Sequence, residues 1–175
     1  VKTLLEGYGV ETPIYEVPTG LDLSRLERKD GAPSVTRADF GLSSQDTVLL
    51  YTGRLAKEKN ISELLELMRV EAPEGSKLLL VGDGPYREFL EDYVYRLDMQ
   101  DRVVFAGMAD PDNMGDYYRL GDVFVSASRS ETQGLTYLEA MACGLPLLCR
   151  KDACLEKLVA DGKNGYLYDS PEGFR

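Results

Sequence analysis

Five short apolar runs punctuate the chain, at residues 47–51, 78–81, 103–105, 123–125 and 145–149. Each is continuous rather than alternating, which predicts parallel strands covered on both faces. The segments between them carry helical spacing. Asn60 with Glu63 predicts a helix start, after which Ile61, Leu64, Leu65 and Met68 share one face. Gly84-Pro85 opens a second helix with Tyr86, Leu90, Val94 and Leu97 inward, and Asp110-Pro111 opens a third. A fourth carries Leu135, Leu138, Met141 and Ala142 and stops at Gly144 and Pro146. A fifth is expected from Cys154 to just before Asp161-Gly162. Strand and helix alternate throughout, so the pattern predicts a doubly wound α/β domain with a parallel sheet and right-handed crossovers over residues 41–175. Residues 1–40 break the pattern. A strand is possible at 14–17, but the rest reads as an entry segment or interdomain linker.

Charge narrows the range of functions. The 175 residues hold 30 acidic and 20 basic side chains, a net charge of −10, which argues against nucleic acid as a partner. A negative field also repels nucleotides, so a phosphate site has to be built locally from a few cations and backbone amides. There is no histidine, which removes His-dependent triads and a His general base from this chain. Cys143, Cys149 and Cys154 lack metal-type spacing and read as buried reduced thiols of a cytoplasmic protein. No apolar run approaches the ~20 residues that span a bilayer, and no signal peptide is evident. The sequence opens at Val1 and stops in a polar stretch, so it is expected to be a piece of a longer protein.

In open α/β sheets ligands bind at the carboxyl ends of the strands. Four successive strand ends here carry special residues: Gly53-Arg54 with Lys57 and Lys59 behind, residues 82–85, Gly107 with Met108, and residues 126–134. Gln133-Gly134 precedes a helix, leaving the N–H groups of Gly134, Leu135 and Thr136 unpaired as an anion site suited to a diphosphate. Arg54 and Lys59 can supply positive charge. Glu131 stands just before this helix and Glu139 lies inside it. A carboxylate does not bind phosphate directly, but it accepts hydrogen bonds from paired sugar hydroxyls. Two carboxylates flanking a phosphate nest therefore suit a ligand with hydroxyls on both sides of a diphosphate, as in a nucleoside diphosphate sugar.

The stretch SRSETQGLTYLEAMACGLP resembles the signature of the retaining glycosyltransferases of the GT-B fold. Glu131, Gly134 and Glu139-Ala140-Met141-Ala142 fall in place, and YTGRLAKEKN resembles that family's GR…K segment. LLLVGDGPYRE, VVFAG, YYRLGDVFVSAS, DGKNGYLY and the leading PTGLD follow its other segments in order, from about residue 17 to 169. The resemblance implies the Rossmann-like, nucleotide-sugar-binding C-terminal half of such an enzyme. By analogy Arg54 and Lys59 would hold the diphosphate, Glu131 the donor sugar and Glu139 the ribose. Backbone at Gly53, Gly82, Gly107, Met108, Gln133, Gly134, Leu135 and Thr136 would line the donor. The implied reaction is metal-independent hexosyl transfer without a cofactor, with UDP-glucose as the expected donor. The ETQGLTYLEA stretch further resembles bacterial enzymes acting on diacylglycerol or its glycolipids, so the acceptor would meet a separate N-terminal domain, peripheral on the inner membrane face. This chain alone is expected to be inactive. Asn60 departs from a glycine frequent in the family.

Alternative readings stay open. A sugar-nucleotide epimerase would share the architecture, and a non-catalytic nucleotide-sugar-binding domain would share the site. Asp110-Pro111-Asp112 could hold a metal, but it is read as a helix cap. Lys57 reads as a solvated charge, and Tyr117 and Tyr118 as packing residues.

Overall fold

The computed structural model describes every residue except Val1, Glu16, Pro18, Ser130 and Thr132. Among the described residues, six strands form one sheet: β1 (Thr47–Thr52), β2 (Ser76–Val81), β3 (Val103–Gly107), β4 (Val123–Ser126), β5 (Leu147–Arg150) and β6 (Gly165–Tyr168). Every pairing is parallel and the order is β3-β2-β1-β4-β5-β6. The doubly wound α/β expectation holds, and the five apolar runs supply β1 to β5. The apolar pattern does not single out β6. The order reverses between β1 and β4, which opens a crevice at their carboxyl ends.

The α-helices of the described residues are α1 (Lys2–Gly7), α2 (Ile61–Val70), α3 (Arg87–Arg96), α4 (Met114–Tyr118) and α5 (Leu135–Ala142). Alternation along the strands divides the core in two. Leu49 and Tyr51 pack with Ile61, Leu64, Leu65 and Met68 of α2 and Leu90 and Val94 of α3. Val48 and Leu50 point the other way, towards Tyr118 of α4 and Tyr137 and Ala140 of α5. The leading segment joins this second layer through Leu26, and Leu42 just after it packs there too. Among the described residues, no helix is long and apolar enough to cross a membrane.

Several expectations are corrected. Of residues 14–17, Glu16 lies outside the described residues and the other three belong to no strand. Pro18 of PTGLD, and Ser130 and Thr132 before α5, also lie outside them. The fifth helix is absent and residues 153–158 form turns. Asp152 there accepts from the Cys154 N–H, while the Asn164 side chain takes the Ala160 N–H and donates to the Leu158 carbonyl. These side-chain bonds compete with helical ones. Asn60 precedes α2 as expected, but in the left-handed conformation (φ 54°) and without capping the helix backbone. Its amide instead donates to Glu63 and to the Ala127 carbonyl. All three cysteines are free, yet only Cys149 is fully buried.

The loops after β1, β2 and β3 are joined backbone to backbone. Gly53 N–H donates to the Val81 carbonyl (2.9 Å), Leu55 N–H to that of Asp83 (2.9 Å) and Gly82 N–H to that of Gly107 (2.7 Å). Approach this close requires glycine. A Cβ on Gly82 would stand 2.0 Å from the Gly53 carbonyl oxygen, and one on Gly84 2.3 Å from that of Leu55.

Candidate functional site

The crevice between β1 and β4 is bordered by residues 52–54 on one side and by the start of α5 on the other. Gly134 adopts φ 64°, turning the chain into the helix at Leu135. The first intrahelical bond runs from Tyr137 N–H to the Gly134 carbonyl, so the amides of Gly134, Leu135 and Thr136 donate to nothing among the described residues. They form the positive end of α5.

Two cavities meet here. The first, of about 260 Å³, is lined by Thr52, Gly53, Arg54, Lys59, Ser126, Glu131, Gln133, Gly134, Leu135 and Thr136, among others. The second, of about 390 Å³, is lined mainly by apolar groups and backbone, including Val81, Gly82, Met108, Ala109 and Met114, together with Glu139. Thr52, Gly53, Arg54 and Thr136 border both. Every site residue expected from sequence thus falls on one cavity or the other, except Gly107. Gly107 turns the chain at φ 75° ahead of Met108, and its carbonyl accepts from Gly82.

The charges are unevenly committed. Lys59 Nζ lies 2.7 Å from Glu131 Oε1, with both side chains mostly buried (24% and 14% exposed). Arg54 is exposed and has no carboxylate partner among the described residues. Glu139 Oε2 accepts from the Tyr118 hydroxyl at 2.6 Å, and that hydroxyl lies 2.8 Å from Thr52 Oγ1. Tyr118 is therefore more than a packing residue, because its hydroxyl links the two walls of the crevice. A buried tyrosine hydroxyl needs a partner, and that was the available sequence signal.

The sequence marks Glu63 only as part of a helix start. It accepts from Asn60, pairs with Arg129 at 3.2 Å and also pairs with Arg150. It thereby ties the start of α2 to the loop leading to Glu131 and to the end of β5. Asp110 acts as a cap, accepting from Asp112 N–H (3.0 Å) and from the Asn113 amide (3.1 Å). No group of acids and cysteines suited to a metal occurs among the described residues.

Burial raises the ionisation of Tyr51, Tyr118, Tyr137 and Tyr168 above the usual tyrosine value of 10.0. Above pH ~10 the unfolded chain loses these protons while the folded chain keeps them. Stability is therefore full below pH 10 and falls as pH rises further, by up to about 1.4 kcal/mol per pH unit for each tyrosine. Urea unfolding between pH 8 and 11 checks this. A flat profile would show that the hydroxyls ionise as freely in the folded chain.

The profile of the family described as "Glycosyl transferases group 1" matches residues 34–173. An alpha-monoglucosyldiacylglycerol synthase of Streptococcus pneumoniae is 37% identical over 173 residues, covering 96% of this chain and 39% of that protein. One of Acholeplasma laidlawii is 31% identical over 161 residues, covering 89% of this chain and 40% of that protein. The solved structure of Anabaena Alr3699/HepE in complex with UDP and glucose superposes with a TM-score of 0.75 at 25% identity, over 89% of this chain and 43% of that one. The chain spans about two fifths of the length of these relatives.

Proposed function

The chain belongs to the group 1 glycosyl transferases, and from that premise we propose that its two adjoining cavities hold one nucleoside diphosphate sugar as donor for retaining hexosyl transfer. The observation that carries this reading is the division of the carboxylates. Glu131 borders one cavity and Glu139 the other, and the cavities meet at Thr52, Gly53, Arg54 and Thr136, beside the start of α5. A diphosphate at that junction places the sugar beside Glu131 and the ribose beside Glu139, with the base along Gly107-Met108 and Ala109. On donor arrival Lys59 exchanges Glu131 for a phosphate oxygen, which frees Glu131 to accept sugar hydroxyls. Arg54, Lys59 and the amides then stabilise the charge that grows on the departing diphosphate, without a metal.

UDP-glucose is the proposed donor, supported by the UDP and glucose bound in the superposed Anabaena protein. A membrane diacylglycerol or its glycolipid is the proposed acceptor, supported by the similarity to two alpha-monoglucosyldiacylglycerol synthases. Its binding site is assigned to sequence beyond this chain, working at the cytoplasmic membrane face. The chain alone then binds donor without turning it over.

Calorimetry with UDP and UDP-glucose, with and without a chelator, tests the reading. Both nucleotides bind regardless of chelator, and Glu139→Ala weakens UDP by about tenfold or more, the size of a lost hydrogen bond to a charged group. Absence of heat with either nucleotide would overturn it.

A further inference from the structure

Tyr118 is fully buried, with 0% of its surface exposed. Its hydroxyl has three oxygen neighbours: Glu139 Oε2 at 2.6 Å, Thr52 Oγ1 at 2.8 Å and the Thr136 carbonyl at 3.4 Å. A phenol has one proton to give, and a carboxylate oxygen is an acceptor. The shortest contact takes that proton to Glu139, so the Thr52 hydroxyl, itself 4% exposed, donates to Tyr118. The chain of bonds has one sense, from β1 through α4 to α5. It fixes Oε2 towards the protein and leaves Oε1 without a partner among the described residues, on a side chain that borders the larger cavity.

From this geometry we infer that Tyr118 is a positioning residue that gives the site its preference for a ribose over a sugar without hydroxyls. The inference rests on the donor-site reading above and names a further determinant within it. A carboxylate held in one rotamer offers its free oxygen to a ligand hydroxyl at no ordering cost, whereas an unanchored one has to be ordered on binding. A ligand lacking those hydroxyls gains nothing from the anchoring. Tyr118→Phe keeps the ring and its packing and removes only the relay.

The test compares UDP with 2′,3′-dideoxyuridine diphosphate by calorimetry on the 175-residue chain and on Tyr118→Phe. The unmodified chain prefers UDP by about tenfold or more, as expected for hydrogen bonds to a charged group. In Tyr118→Phe, UDP binding weakens about tenfold and binding of the dideoxy compound is unchanged, so the preference collapses towards unity. Equal weakening of both ligands would show a general structural role and overturn the inference, as would an undiminished preference. Should Tyr118→Phe not fold, Thr52→Val removes the hydroxyl that orients the phenol and shows the same selective loss, roughly threefold; an intact preference there also overturns it. An unmodified chain that binds neither nucleotide defeats the donor-site reading and this inference together. UDP binding whose preference survives substitution defeats this inference alone.

Discussion

Gly82→Ala lowers the free energy of unfolding by about 3 kcal/mol, combining forced overpacking with a strained backbone. Gly82 has φ 130°, a region that side chains rarely adopt. An added Cβ would stand 2.0 Å from the Gly53 carbonyl oxygen and 2.9 Å from the Gly53 carbonyl carbon. These are backbone atoms, so no rotamer change relieves the clash and the loops after β1 and β2 have to part. Parting them breaks the bonds from Gly53 to Val81 and from Gly82 to Gly107. The control is Gly144→Ala, at φ 83° with nothing within 4 Å of the added carbon, which costs only the left-handed strain of about 1 kcal/mol. Urea unfolding of both variants checks the contrast. A Gly82→Ala loss no larger than that of Gly144→Ala would mean that the rim yields without cost.

Arg54→Ala weakens UDP binding by about 100-fold, the equivalent of roughly 3 kcal/mol for a bidentate, charge-assisted contact. The melting temperature stays nearly constant, because Arg54 is exposed and holds no carboxylate among the described residues. Two comparisons isolate the phosphate. Uridine binding is unaffected by the substitution, and Lys57→Ala, at an exposed residue bordering neither cavity, leaves UDP affinity intact. A parallel loss of uridine and UDP affinity would move Arg54 away from the diphosphate.

What could be read from the sequence depended on whether a signal was local. The strands β1 to β5 come from unbroken apolar runs, since a strand buried on both faces has no polar side to show. β6 has four residues beginning with Gly165, and its Tyr166 is 58% exposed, so it offers too short and too mixed a pattern. Leu155, Leu158 and Val159 carry helical spacing, yet the segment is too short to hold a helix against the side-chain bonds of Asp152 and Asn164. The strand-end residues were legible because topology brings strand ends together whatever the detail. The roles of Tyr118 and Glu63 were not, because each depends on partners tens of residues away, such as Thr52 for the first and Arg150 for the second.

The reversal of strand order between β1 and β4 has a mechanical consequence. The residues behind Arg54 and Lys59 are anchored in the layer of α2 and α3, whereas Glu139 and its tyrosine are anchored in the layer of α4 and α5. The sheet insulates one layer from the other, and the ion pair Lys59–Glu131 and the Thr52–Tyr118–Glu139 relay bridge the crevice between them. The crevice is thus a seam between two separately packed layers. A change in either layer therefore reaches the opposite wall through those two links across the crevice.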